Sequence, residues 1–419
     1  MSGFFSAKET QSDTITPGKT FSCVSCGLYK DARTPKMKPF GNFKKRILNI
    51  GIAPAVSDDI HGKPFQSKEG KLVKRMLARN GIDLYEDCLN INSVNCTTDK
   101  PTNFQINCCR SKVLSVIKQY KPHTILLFGF EPVISVIGNA YKDNLDTIAK
   151  WRGWSIPDRN LNAWVCPLND PEHVFASEKF PEVQTIWNLD IVKALETIKK
   201  PLPVFEDEHK YIVYRETESD IEKTLIQILK DKPEITFFDY ETTSLKPHRK
   251  GQRILCVSIA VAPNKCYAFP FPETDRVKQL FCNYLTDPDI GKAAANMKFE
   301  QAWSKVRAGL GERDVYPWLW DTMQAGHILD NRPNITGLKF QTYVNFGLPD
   351  YDSHIKPYMT SDEDKGANSF NKLPEFIKKY GMKSLLTYCG LDGIFEYRLG
   401  MHQMKPLNTT IEQLKKDFT

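Results

Sequence analysis

The stretch ITFFDYETTSL, residues 235–245, sets Asp239 and Glu241 on either side of a tyrosine in an apolar, β-prone run. Side chains alternate faces along a strand, so both carboxylates leave the same face, at the end of a segment whose Ile235, Phe237 and Phe238 read as buried. Two like charges side by side repel unless something positive lies between them. An acidic-x-acidic triplet is common by chance, so its meaning rests on other residues. Two further stretches supply them. In AAANMKFEQAW, Asn296 and Glu300 sit where a strand of small residues gives way to a helix, which puts a third carboxylate at the mouth of a sheet. In LLTYCGLDGIFEYRL, Tyr388 and Asp392 are four apart in a helical pattern, so a phenol and a fourth carboxylate share one helix face. Carboxylate oxygens suit Mg²⁺ or Mn²⁺, and such ions promote phosphoryl displacement. The N-terminal half offers thiols instead: Cys23-x-x-Cys26, then Cys96, then the adjacent pair Cys108 and Cys109.

These residues must be carried by two domains. Residues 199–210, KKPLPVFEDEHK, combine two prolines with a charge run and no hydrophobic period, which suits a connector. The expected division is 1–200 and 201–419. Upstream, RILNIGIAP and HTILLFG are short apolar runs, with KLVKRMLARNGI and SKVLSVIKQY at helical spacing between them, a pattern that predicts an α/β domain with a largely parallel sheet. Downstream, EITFFDYETT, RILCVSIAV and CYAFPF are strand candidates, the last two joined by the turn APNK, with mostly helical patterns from about 275 onward; that order predicts an α+β domain. The polar tract 351–372 reads as a mobile loop, and the residues after 405 as a short polar tail with no polymerase domain.

Size and composition bound the function. A chain of 419 residues can bury two cores. No apolar run approaches a membrane span, and MSGFFSAKETQSD has no basic start followed by an apolar block, so a cytoplasmic protein is expected. Eleven cysteines, an odd number spread over both halves, do not make a disulfide framework; reduced thiols or a metal site fit better. The net charge of +7 is compatible with a polyanionic partner without arguing for one alone.

Asp-x-Glu on a strand, Asn-x-x-Phe-Glu about sixty residues on and Tyr-x-x-x-Asp near the end, in that order, resemble the three motifs of the DnaQ-like 3′–5′ exonucleases with a tyrosine in the third. They resemble most the proofreading domain of family A DNA polymerases, phage type, over about 210–405, with WDTMQAGHILD and GLKFQTY in the expected places. The resemblance implies an RNase H-like fold in which Asp239, Glu241, Glu300 and Asp392 hold two Mg²⁺ or Mn²⁺ ions, which stabilise the attacking hydroxide and the leaving 3′ oxygen, while Tyr388 orients the attacking water. Glu300 stands where the family usually has aspartate; its extra methylene keeps the charge and shifts its reach.

The order FSCVSCGLYKDART, NIGIAPAVSDDIHGKPFQSKEGKLV, NINSVNCTTDKPTNFQINCCRS, WRGW and VCPLNDPEHVF resembles the iron-sulfur uracil-DNA glycosylases, family 4 and its neighbours, over about 20–195. Cys23, Cys26, Cys96 and Cys109 match the four cluster cysteines, which implies a [4Fe-4S] cluster; Cys108 leaves the fourth ligand open, and thiolates also accept zinc. Phe65 falls on the aromatic that stacks on uracil and Asn92 on the amide that reads its edge. Two catalytic positions depart from the family: Ile52 replaces an acidic residue, and Asp170 replaces a histidine. Excision is therefore expected to be lost or very slow. An alternative alignment would let Asp58 or Asp59 position the water.

The expectation is a metal-dependent 3′–5′ exonuclease, the proofreading piece of a phage-type replication machinery in a bacterial host cytoplasm, fused to an inactive glycosylase-like DNA-binding domain. Its partners would be single-stranded DNA or primer 3′ ends and a separate polymerase chain. The rivals are a non-catalytic DNA-binding adaptor and an active uracil-repair glycosylase.

Overall fold

The computed structural model describes residues 21–177, 179–360 and 370–416, and the chain divides in it into two units, Met1–Pro203 and Val204–Thr419. The segment MSGFFSAKETQSD and residues 361–369 of the polar tract lie outside the described residues.

The first unit holds β1 (Ile47–Gly51), β2 (Cys88–Asn92), β3 (Thr124–Phe128), β4 (Ile156–Asp158) and β5 (Ala163–Leu168) in the order β2-β1-β3-β5-β4. All neighbours run parallel except the β4–β5 pair at one edge. Every residue of β1, β2, β3 and β5 is buried, as strands covered on both faces by helices must be. The predicted helices form at Lys68–Arg79 and Asn103–Tyr120. Ser67 Oγ caps the first by accepting from Gly70 N at 3.1 Å. Thr102 and Gln105 start the second as a reciprocal capping box. Polar residues inside β1 and β2 satisfy each other: Asn49 Nδ2 donates to Asn90 Oδ1 at 2.9 Å, and Asn90 Nδ2 donates to Leu84 O at 2.7 Å.

The second unit holds β6 (Ile212–Tyr214), β7 (Ile235–Thr242), β8 (Ile254–Ala262), β9 (Lys265–Pro270), β10 (Gly291–Ala294) and β11 (Trp318–Asp321) in the order β11-β10-β7-β8-β9-β6. An antiparallel meander β7-β8-β9 is extended by β10 and β11 running parallel to β7, the RNase H-like arrangement. The alternation of β7 splits its residues between two cores. Phe238 and Tyr240 pack with Leu225 and Phe281 on one face, while Ile235 and Phe237 pack with Leu386 and Phe395 of the helix Met382–Met404 on the other. That helix lies flush on the sheet because small residues face it. A Cβ at Gly400 would sit 2.2 Å from the Phe237 ring, and one at Gly393 would sit 2.7 Å from Ser258 Oγ.

The chain after 275 is mostly helical, as its pattern predicts, with the short strands β10 and β11 between its helices; WLWD, the four residues of β11, is too short to display alternation. One expectation is corrected. The residues after 405 are not merely a tail: the helix Ile411–Lys416 packs Ile411 and Leu414 against the core.

Candidate functional site

Three elements bring the acidic residues together. On β7, Asp239 pairs across the ladder with Ser258 and Glu241 with Cys256, which aims both carboxylates at the face covered by helix Met382–Met404. Glu300 stands in the first turn of the helix Met297–Val306, whose N-cap Asn296 adopts a left-handed φ of 70°. Asp321, at the end of the neighbouring β11, fixes that turn by accepting from Asn296 N at 3.1 Å and Met297 N at 3.0 Å. Tyr388 and Asp392 come from one face of helix Met382–Met404, and both are buried.

The electrostatics of this cluster is that of crowded acids. Burial first, and then the charge of Asp392, raise the Asp239 carboxyl to about 7. Burial and then Asp239 push Glu241 and Glu300 well above the usual carboxylate range. Burial followed by Asp392 and Glu241 does the same to the Tyr388 phenol.

Four residues of the cluster escaped the sequence reading. Glu396, one turn beyond Asp392, is buried, and its carboxyl is pushed well above the usual range by burial and then by Asp239, Glu300 and Asp392. The ligand atoms of Asp239, Glu241 and Cys389 all lie within 4.8 Å of one another. Tyr351, inside the tract read as a loop, donates its hydroxyl to Asp392 Oδ1 at 2.6 Å. Lys339 Nζ donates to the same oxygen. Two signals in the sequence pointed to any of them: the i+4 spacing of Glu396 from Asp392, and the stretch GLKFQTY, which carries Lys339.

The cluster suits a divalent cation by its own chemistry. Glu300 Oε2 and Glu396 Oε2 are buried without a hydrogen-bond partner among the described residues, and an oxygen-rich donor set of this kind fits Mg²⁺ or Mn²⁺.

In the first unit, Cys23 and Cys26 bound a single helical turn that Ser22 caps. Lys36 N donates to Cys96 Sγ at 3.3 Å. Burial lifts the Cys109 thiol to about 11, and Cys26, Cys96 and Cys23 all add to the rise; Cys108 responds to Cys26 and Cys23. The thiols of Cys23, Cys26, Cys96, Cys108 and Cys109 thus share one neighbourhood, in which Cys109 but not Cys108 acts with Cys96, and four thiolates are the donor set of an iron-sulfur cluster or of zinc.

Phe65 and Asn92 meet where β1 and β2 end. Gly51 pairs with Asn92 across the ladder, and a Cβ at Gly51 would lie 2.5 Å from Asn92 Oδ1 and 3.3 Å from the Phe65 ring. Only glycine lets these two side chains meet over the strand end. Asn92 Nδ2 is buried and without a hydrogen-bond partner among the described residues. Phe65 holds a left-handed φ of 63° and sets its ring edge-on to Phe128, with centroids 6.0 Å apart. Ile52 leans on Gly129. Asp170 caps the helix Pro171–Ala176 by accepting from Glu172 N at 3.0 Å, and burial raises its carboxyl to about 6. Asp58 and Asp59 are engaged by main chain: Asp58 accepts from Gln66 N at 2.6 Å and Ala55 N at 3.2 Å, and Asp59 from Arg33 N at 2.8 Å and Thr34 N at 2.7 Å.

Residues 38–189 match the family model of the uracil DNA glycosylase superfamily. Over 184 residues, 43% of this chain and 84% of the relative, the sequence is 30% identical to a type-4 uracil-DNA glycosylase of Saccharolobus solfataricus. The chain belongs to the uracil-DNA glycosylase superfamily. This member of the superfamily is also similar, at 24% identity over 385 residues, to a DNA polymerase of Bacillus phage SP01; the alignment takes in 84% of this chain, more than either unit alone, and 40% of the polymerase. Among solved structures, the RNase D of Trypanosoma brucei overlaps half of this glycosylase-superfamily chain and 71% of its own, with a TM-score of 0.36 and 17% identity. No helix among the described residues is long and apolar enough to cross a membrane.

Proposed function

We propose that the second unit is a divalent-metal-dependent 3′–5′ DNA exonuclease and that the first is a DNA-binding unit that no longer excises uracil. The observation that carries the first half is the convergence of Asp239, Glu241, Glu300 and Asp392 from three elements, with the carboxyls of Asp239, Glu241 and Glu300 raised by burial and by their acidic neighbours and with one oxygen of Glu300 unpartnered. Repulsion of that size is costly to keep in a fold with no use for it. Two bound Mg²⁺ or Mn²⁺ ions would supply charge stabilisation for an in-line displacement at phosphorus. The residues of the chain do the rest. Asp239, Glu241, Glu300 and Asp392 hold the ions. Tyr388, one turn from Asp392, offers a hydroxyl to orient the attacking water. The sheet beneath, packed against Gly393 and Gly400, fixes the spacing.

The similarity to a phage DNA polymerase across both units supports a place in replication, with single strands or primer 3′ ends as substrate and a polymerase as partner. Incubation with a 5′-labelled single strand in Mg²⁺ and in chelator tests the reading.

For the first unit, Phe65 and the unpartnered Asn92 amide support retention of a flipped base, while Ile52 and Asp170 supply neither a water-positioning carboxylate nor a donor for a departing uracil anion. The two carboxylates that could have substituted, Asp58 and Asp59, already accept main-chain N–H groups. The cysteines Cys23, Cys26, Cys96 and Cys109 would hold a structural [4Fe-4S] cluster, with zinc as the other metal that the donor set accepts. Binding of the chain to single strands with and without one uracil, alongside an assay for free uracil, separates a uracil sensor from a general grip.

A further inference from the structure

The acidic cluster already contains a positive charge, and it belongs to the protein. Lys339, near the start of the helix Leu338–Phe346, donates its ammonium to Asp392 Oδ1. Its Nζ lies 4.0 Å from the centroid of the Tyr351 ring and 4.3 Å from that of Tyr388. The π faces of both rings favour the cation. The charge reaches well beyond Asp392: Lys339 acts electrostatically on Asp239, Glu241, Glu396 and Asp352.

Asp392 Oδ1 thus takes both the Lys339 ammonium and the Tyr351 hydroxyl, so a divalent ion ligated by Asp392 draws on a carboxylate that two donors already use. The Lys339 side chain is 21% exposed and the Asp392 side chain 8%, so the lysine is the more solvent-accessible partner of the pair. A flexible stem bearing a point charge can leave a carboxylate for a phosphate without moving the backbone.

We propose that Lys339 is the site's internal counter-ion: it competes with divalent cations for Asp392 and, once they bind, turns to a phosphate of the bound strand. This deepens the nuclease reading and rests on it. Lys339 is a positioning residue toward the metals and a binding residue toward the phosphodiester. The competition sets a threshold, since metal affinity is lower than the carboxylates alone would give, and the bound strand repays the difference by taking the displaced ammonium.

The test is a Mn²⁺ titration of the full chain followed by electron paramagnetic resonance of the free ion, for the wild type, Lys339→Met, Lys339→Gln and Lys339→Arg. Methionine keeps an apolar stem, and glutamine keeps a donor to Asp392 without the charge. Both are expected to bind Mn²⁺ about tenfold more tightly than the wild type, whereas arginine stays close to it. With Ca²⁺ in place of Mg²⁺, the neutral variants should bind a single strand several-fold more weakly, with a salt slope shallower by about 0.7, the value for one phosphate contact on a single strand. Unchanged or weaker Mn²⁺ binding in the neutral variants overturns the competition. Unchanged strand affinity and salt slope overturn the phosphate contact. A wild type that binds no Mn²⁺ at all removes the nuclease reading together with this inference, whereas Mn²⁺ binding indifferent to residue 339 removes only the inference.

Discussion

Asp392 on the helix Met382–Met404 acts on Asp239 in β7: after burial, the charge of Asp392 is the largest cause that raises the Asp239 carboxyl to about 7. The helix can bring the two that close because Gly393 and Gly400 let it lie on the sheet. The closeness is a cost to the fold without cations and an asset with them.

Replacing both Asp239 and Glu241 by alanine is expected to lower exonuclease activity in Mg²⁺ at least a thousandfold while the chain stays folded. The same variant should melt at a higher temperature than the wild type in chelator at pH 8, because it removes two crowded carboxylates. Nuclease gels and thermal melts check the two halves.

Tyr388→Phe should be milder. It removes one hydroxyl and keeps the buried ring, so turnover should fall ten- to a hundredfold with single-strand affinity retained. Affinity lost in parallel with turnover would make Tyr388 a binding residue instead.

The cysteine neighbourhood separates Cys109 from its neighbour. Anaerobically purified protein should be brown, with broad absorbance near 400 nm, as thiolate-ligated iron gives. Cys109→Ser should bleach it and Cys108→Ser should not, because Cys109 acts electrostatically with Cys96 as well as with Cys26 and Cys23, whereas Cys108 acts with Cys26 and Cys23 alone. Colourless protein with stoichiometric zinc would keep the site and change the metal.

Asp170 predicts a pH dependence. Its carboxyl titrates near 6 in the fold against 3.8 as a free side chain, so between those values the folded chain holds a proton that the unfolded chain has released. Stability from this group therefore falls as pH rises from about 4 to 6, and the full cost is present above 6. Asp170→Asn removes the charge and keeps an N-cap acceptor, so it should stabilise the first unit by about 2 kcal/mol at pH 8 and by little at pH 4. Equal effects at both pH values would contradict the account.

Much of the sheet was legible because its strands are continuous apolar runs: β1, β3, β7, β8 and β9 all lie in segments that the pattern marks. β6 and β11, of three and four residues, were not, since alternation cannot show in so few positions. The motif residues carry a resemblance in order and spacing, but Lys339, Tyr351 and Cys389 join the cluster through packing of distant elements. Tyr351 was hidden by the polar composition of its tract, and Cys389 reads as one more apolar residue of a buried helix. Engagement of Asp58 and Asp59 by main-chain N–H groups 8 to 26 residues away is likewise tertiary.

The central claim is tested most directly by digesting a 5′-labelled single strand with the full chain in Mg²⁺, in chelator, and with the Asp239→Ala, Glu241→Ala double variant. The account predicts a ladder of products that keep the 5′ label and shorten from the 3′ end in Mg²⁺, with intact strand in chelator and with the variant. Intact strand in every lane, or equal digestion by the double variant, would contradict it.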